Sequence, residues 1–196
     1  MATAAHTPTT PRLKKAEELT DLPDDVRAEL VDGVMLMVPL ASGAHGWMAT
    51  EISYAIRAWI GDRPLGRVFD SSTGFILRRD PDVLRAPDVA FVSADRLREL
   101  PPRGFLELAP DLAVEILSPS NGYVAMSRKI ADYLRAGVRL VWVLDPETRT
   151  AAVYDGGERA LPRWLEPHEA LDGGAVLPGF TVPLARCFAG LAPLDA

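Results

Sequence analysis

The segment LAVEIL (112–117) constrains this chain more than any other stretch. Five of its six residues are apolar, which reads as a near-continuous strand of the type covered on both faces. The exception is Glu115. An ionised carboxylate between Val114 and Ile116 gives up hydration worth several kcal/mol. Three things can offset that loss: a cationic side chain, a metal ion, or a raised pKa. A structural salt bridge is the plain reading, and a functional site is its rival.

A candidate cation follows on the next element. The pattern predicts a helix from about Gly122 to Ala136, with Asn121 as its cap and Gly137 as its stop. Met126, Ile130, Tyr133 and Leu134 define its buried stripe, while Arg128 and Arg135 point away. Lys129 falls on the flank of the stripe, from which its ammonium can reach back to Glu115. The chain holds 21 basic residues, yet its only lysines are Lys14, Lys15 and Lys129. A snorkelling surface lysine is the ordinary alternative, but arginine serves everywhere else after residue 15.

The remaining pattern fills in the fold. A short helix is expected over Leu13–Leu22, and ELVDGVMLMV (29–38) reads as two strands joined at Asp32-Gly33. Ser42 can cap a helix over about Ala44 to Ile60, with Met48, Ile52, Ala55, Ile56 and Trp59 on one face. Strands are expected near Thr73–Arg79 and Pro87–Val92, and a loop or short helix from Ser93 to Pro110. RLVWVLD (139–145) and TAAVYD (150–155) form a hairpin across Pro146–Arg149. Residues 156–196 read as a polar loop with one extended piece around Val176–Leu184. Val141, Trp142 and Val153 suit a core first and a dimer interface second.

Composition excludes several classes. The chain has 196 residues, net charge −6 and 48% apolar residues, the profile of a soluble globular protein. One cysteine, Cys187, rules out a disulfide framework, and three scattered histidines rule out a three-histidine metal site. The first ten residues lack a basic start followed by an apolar block, so a secretory signal is not expected and the reduced cytoplasm fits best. There is no G-x-x-x-x-G-K-[ST] loop, no G-x-S-x-G and no H-E-x-x-H. Acidic balance argues against gripping nucleic acid by bulk charge, but not against a local site.

Further candidates are carboxylates and one imidazole. Asp88 opens an apolar strand after Pro87; alone it could be a turn former. Beside Glu115 on a neighbouring strand it would create a site for a hard divalent cation. Glu29 precedes an apolar strand. His45 begins a helix on its apolar side, where a packed core histidine is the usual case. His6 and His168 read as surface residues.

In order, AELVDG (28–33), His45, PDVAFV (87–92), LAVEILSPS (112–120), Lys129, YLRAGVRLVWVLDP (133–146) and VLPGF (176–180) resemble the Uma-two family of the PD-(D/E)XK nuclease superfamily. The resemblance covers about residues 13–188, leaving 1–12 and 189–196 as tails. It implies an α/β (α+β) restriction-endonuclease-like core, a mixed sheet flanked by helices. Asp88 matches the motif aspartate, Glu115 the second acidic position and Glu29 the early glutamate. The superfamily's lysine position, two residues after Glu115, is Leu117 here, and Lys129 matches the lysine that replaces it. One departure stands out: relatives usually carry an acid four residues before the lysine, and this chain has Ala125. The implied activity is Mg²⁺-dependent (Mn²⁺ as substitute) hydrolysis of DNA, with Asp88, Glu115, Glu29 and the Ile116 carbonyl as metal ligands. Lys129 would position the attacking water, and His45 is a further candidate. A catalytically inactive nuclease fold kept for binding or regulation is the rival, and a homodimer is left open.

Overall fold

The computed structural model describes residues 13–23, 26–97, 99–118, 122–155 and 161–192. A 3-10 turn, Ala16–Leu19, stands where a longer helix was expected. Strands β1 (Ala28–Val31) and β2 (Val34–Met37) follow, then helix α1 (Gly43–Ile60). Next come β3 (Gly66–Asp70), β4 (Phe75–Arg78), β5 (Val83–Arg85), β6 (Val89–Ser93) and β7 (Leu112–Ile116). Helix α2 (Tyr123–Arg135) leads to β8 (Leu140–Asp145) and β9 (Thr150–Asp155). The chain continues through β10 (Arg163–Leu165), β11 (Ala170–Asp172), β12 (Thr181–Pro183) and α3 (Leu184–Cys187).

Six strands make the main sheet, in the order β10-β9-β8-β7-β6-β3. Only β7 and β8 run parallel, because α2 carries the chain back between them; the other pairs are antiparallel. All five residues of β7 are buried, as its apolar run requires. Leu112, Val114 and Ile116 face a core shared with Met48, Ile52 and Ile56 of α1. Ala113 faces Met126, Ile130, Tyr133 and Leu134 of α2, so Glu115, two residues on, points to the α2 side. Helices therefore cover both faces, which is the mixed α+β, restriction-endonuclease-like architecture the resemblance implied.

A smaller antiparallel sheet, ordered β2-β1-β5-β4, lies beside the first. Its β1–β2 turn uses Asp32 at φ 51° and Gly33 at φ 75°, the pair of positive angles that an Asp-Gly hairpin supplies. Ser42 caps α1 by accepting from the His45 N–H at 3.2 Å. That cap sets the first turn from which the His45 side chain projects. The expected Asn121 cap of α2 lies outside the described residues.

Two readings need correction, and a third stands as ranked. Strands β3 and β5 were not anticipated, because five and three residues without clear alternation carry little periodic signal. The segment from 161 onward is more than a polar loop. Leu165, Leu171, Leu177, Phe180, Val182, Leu184 and Phe188 all enter the main core, and Phe180 stacks on Trp142 with ring centroids 6.2 Å apart. Three-residue strands separated by turns place these side chains inward one at a time, so no window shows a period. Val141, Trp142 and Val153 are buried core residues.

Asp111, just before β7, anchors the far end of the main sheet. Its fully buried carboxylate accepts from the Ser93 N–H and hydroxyl, both at 2.7 Å. Arg96 at 2.5 Å and Arg139 at 2.8 Å complete its shell. Burial pushes this carboxyl up, but the Ser93 hydrogen bonds and Arg96 outweigh burial and hold it below the usual aspartate range. A depressed native pKa gives stability that is full above the unfolded value and lost as pH falls through the native one. Asp111→Asn should therefore cost about 2 kcal/mol at pH 7. In urea titrations that gap to wild type should close as the pH drops below the unfolded aspartate value of about 3.9.

Candidate active site

Where the two sheets meet, charged side chains from five elements converge. Glu115 comes from β7, Lys129 and Tyr133 from α2, Glu29 from β1, His45 from α1, and Asp88 from the link between β5 and β6. At the centre stands the Lys129 ammonium. It donates to Glu115 Oε2 at 2.9 Å, lies 3.0 Å from Glu29 Oε1, and reaches the Ala86 carbonyl at 3.3 Å. The helical spacing placed Lys129 on the flank of the buried stripe, and that flank faces the Glu115 side of the sheet.

Asp88 is held in the adjoining position. Its Oδ2 accepts from the Ile116 N–H at 2.7 Å and from His45 Nε2 at 3.0 Å. His45 also hydrogen-bonds the Ile116 backbone, so the imidazole ties the end of β7 to Asp88. The hydrogen bond to Asp88 is the main reason the His45 pKa lies above its ordinary value, with burial opposing it. Asp88, His45 and Lys129 keep 14%, 12% and 16% of their side chains accessible, whereas Glu115 keeps 2%. A ligand arriving from solvent thus meets Asp88, His45 and Lys129 before Glu115.

Glu115 is the strained member. Burial raises its carboxyl most, Lys129 opposes, and the neighbouring Asp88 and Glu29 charges push it up further, leaving it at about 7. Its second oxygen, Oε1, accepts from the Tyr133 hydroxyl at 2.6 Å. Burial would lower the Lys129 pKa, but Glu115, Glu29 and Asp88 together raise it, so the ammonium stays charged.

Glu29 stands differently from expectation. Its Oε2 accepts from Arg85 at 2.8 Å, and its Oε1 accepts from the Ala86 N–H at 3.0 Å as well as facing Lys129. Lys129 and Arg85 hold its carboxyl below the usual glutamate range despite burial. Arg85 then continues to Asp132 of α2, with Nε at 3.0 Å and Nη2 at 2.6 Å from one carboxylate oxygen. Arg85, Asp132 and Tyr133 are functional neighbours that the sequence reading missed. Tyr133 was legible only as a core residue. An arginine at the end of the short strand VLR, just before Ala-Pro-Asp, was the one available sign of Arg85.

Four carboxylates (Glu29, Asp88, Glu115 and Asp132) face two permanent cations, Lys129 and Arg85. The pairing is uneven. Lys129 is divided between Glu115 and Glu29, and Arg85 between Glu29 and Asp132, so the carboxylates outnumber the permanent cations, and Asp88 faces His45 rather than either of them. That surplus fits a hard cation of the Mg²⁺ kind, which takes one or two carboxylates and keeps several waters. Among the described residues, no three acidic, histidine or cysteine side chains form a ready metal cage.

Residues 16–185 match the model of the Uma2 family, described as "Putative restriction endonuclease". The chain belongs to that family. A crystal structure from Anabaena variabilis, described as "a putative nuclease belonging to DUF820", superposes on this Uma2 protein with a TM-score of 0.77. The match covers 91% of this chain and 98% of that one at 20% sequence identity, which establishes a shared fold. No curated protein matches the chain. Ala125, four residues before the lysine, is exposed on α2. In this Uma2 protein Lys129 takes its position from Glu115, Glu29 and the Ala86 carbonyl.

The raised Glu115 pKa has a definite sign. A carboxyl whose native pKa exceeds its unfolded value binds its proton more tightly in the native state, so ionising it costs stability as pH rises from about 4.5 to about 7. Across that window, wild type should lose up to roughly 3 kcal/mol relative to Glu115→Gln. Chemical denaturation of both proteins at pH 4.5, 6 and 8 checks this; a constant difference would contradict it.

Proposed function

We propose that this Uma2 protein is a metal-dependent endonuclease that hydrolyses phosphodiester bonds in DNA. The observation that carries the reading is the buried Lys129 ammonium, shared between Glu115 and Glu29 and adjoining Asp88. Asp88, Glu115 and the Ile116 carbonyl are the residues that would hold Mg²⁺, or Mn²⁺ in its place. A bound divalent cation supplies a water of lowered pKa and polarises the phosphoryl oxygen.

Everything else is the work of the chain. Lys129 donates to Glu115 and feels the Asp88 charge, so its freely rotating ammonium can orient a water and balance charge developing on the phosphate. Tyr133 occupies one oxygen of Glu115 and leaves the other directed at Lys129. Glu29 would contribute through Lys129, which it shares with Glu115. His45 holds Asp88 Oδ2, and being partly accessible it can also meet the substrate. No described helix is long and apolar enough to cross a membrane.

Millimolar Mg²⁺ or Mn²⁺ should raise the melting temperature, because a ligand selective for the native state stabilises by mass action. Asp88→Asn should lose most of that response while folding at least as stably without metal, since one of several repelling carboxylates is gone. Equal thermal responses in the two proteins would remove Asp88 from the metal site.

Cleavage of supercoiled, linear and single-stranded DNA with each metal tests the activity itself. Lys129→Arg preserves charge but replaces a compact ammonium by a broad planar fork. It should fold, keep its metal response, and lose at least ~10²-fold in single-turnover rate, equivalent to about 2.7 kcal/mol of transition-state stabilisation. A near-normal rate would reduce Lys129 to a counter-ion. Metal binding with no cleavage of any DNA by wild type would favour the non-catalytic alternative.

A further inference from the structure

We propose that Arg85 is the positioning residue of this site: by holding Glu29 and Asp132 at once, it assigns Glu29 to Lys129 and keeps that carboxylate away from the Asp88–Glu115 side. The proposal rests on the preceding reading only in taking Lys129 as the group to be positioned.

Arg85 is the last residue of β5 and is 4% exposed. Its Nη1 donates to Glu29 Oε2 at 2.8 Å, while Nε and Nη2 both donate to Asp132 Oδ2. The next residue, Ala86, donates its N–H to Glu29 Oε1 and offers its carbonyl to Lys129. Two consecutive residues at one strand end therefore fix both oxygens of Glu29, and one of those oxygens is the second acceptor of the lysine. Asp132 lies three residues beyond Lys129, on the neighbouring part of the same helical face. Through it, Arg85 also sets where α2 sits relative to β5, and with it the root of the lysine side chain.

The chemistry requires an arginine. Three donors diverging from one rigid plane can serve carboxylates on a strand and on a helix together, whereas a single ammonium acts as a point charge. Without Arg85, Glu29 Oε2 loses its partner inside a buried site, and the carboxylate is free to turn toward Asp88 and Glu115. A residue that merely neutralised buried charge would have no such consequence for the lysine.

Lysine-selective ¹⁵N NMR of the metal-free full-length protein reads this directly. The chain has three lysines, and Lys14 and Lys15 are 41% and 54% exposed. Lys129, held by two carboxylates and a carbonyl, should give the one slowly exchanging ammonium signal. In Arg85→Met its protons should exchange at least ~10-fold faster, the scale of one lost hydrogen bond to a charged group. Glu29→Gln should show a similar change, and the double variant should add nothing, because Arg85 acts through Glu29. Arg85→Lys keeps the buried charge, so it should fold even if Arg85→Met does not, and its Lys129 exchange should be intermediate.

Unchanged Lys129 exchange in Arg85→Met or Arg85→Lys overturns the proposal. So do effects of Arg85→Met and Glu29→Gln that multiply, or a rapidly exchanging Lys129 in wild type. None of these measurements uses metal or DNA. A wild-type protein that ignores Mg²⁺ and cuts no DNA would defeat the proposed function while leaving the Arg85 result to stand by itself.

Discussion

The rest of the structure is arranged around one buried ammonium. Lys129 is drawn out of water by the packing of α2 on the main sheet, and hydration lost at that depth is worth several kcal/mol. Two carboxylates at 2.9 and 3.0 Å replace it, one from each sheet. Each carboxylate then needs partners of its own. Glu115 takes Tyr133 and Glu29 takes Arg85, which in turn takes Asp132. A single desolvated charge thus accounts for most of the polar contacts in the region where the sheets meet.

The single parallel pair in the main sheet makes this possible. A return helix between β7 and β8 lies across the face to which Glu115 points, so Lys129 and Tyr133, four residues apart on α2, both reach the same carboxylate. Had β7 been joined to β8 by a hairpin, no return helix would cover the face to which Glu115 points. On the opposite face, α1 brings His45 over the end of β7, where Asp88 accepts from the Ile116 N–H. The two helices therefore address two ends of one strand terminus from different sides.

Much of this was legible from residue order, and the division follows physical lines. LAVEIL announced a buried strand because five apolar residues in succession leave few alternatives, and Glu115 stood out against them. Scarcity of lysine drew attention to Lys129, and helical spacing put it on the side facing the sheet. Arg85 carried no such contrast, being one arginine among eighteen at the end of a three-residue strand. Tyr133 looked like core because it is core; its hydroxyl is its only polar group. The roles of Glu29 depend on which neighbours reach it, a matter of how two sheets dock, and no local pattern encodes docking. Short strands β10 and β11 escaped for a similar reason, since each contributes one or two inward side chains, whereas β12 falls within the extended piece expected around Val176–Leu184.

The division of Lys129 between two sheets bears on the chain as a covalent object. Glu29 and His45 lie in the first sixty residues, whereas Asp88, Glu115 and Lys129 all come later. A fragment starting at β3 would carry Asp88, Glu115 and the lysine, yet lack the lysine's second acceptor and the second donor to Asp88. Loss of the amino-terminal third therefore removes the charge partners of Lys129 and Asp88 contributed by Glu29 and His45. The first sixty residues are thus tied, through the electrostatics of one side chain, to an element two thirds of the way along the chain.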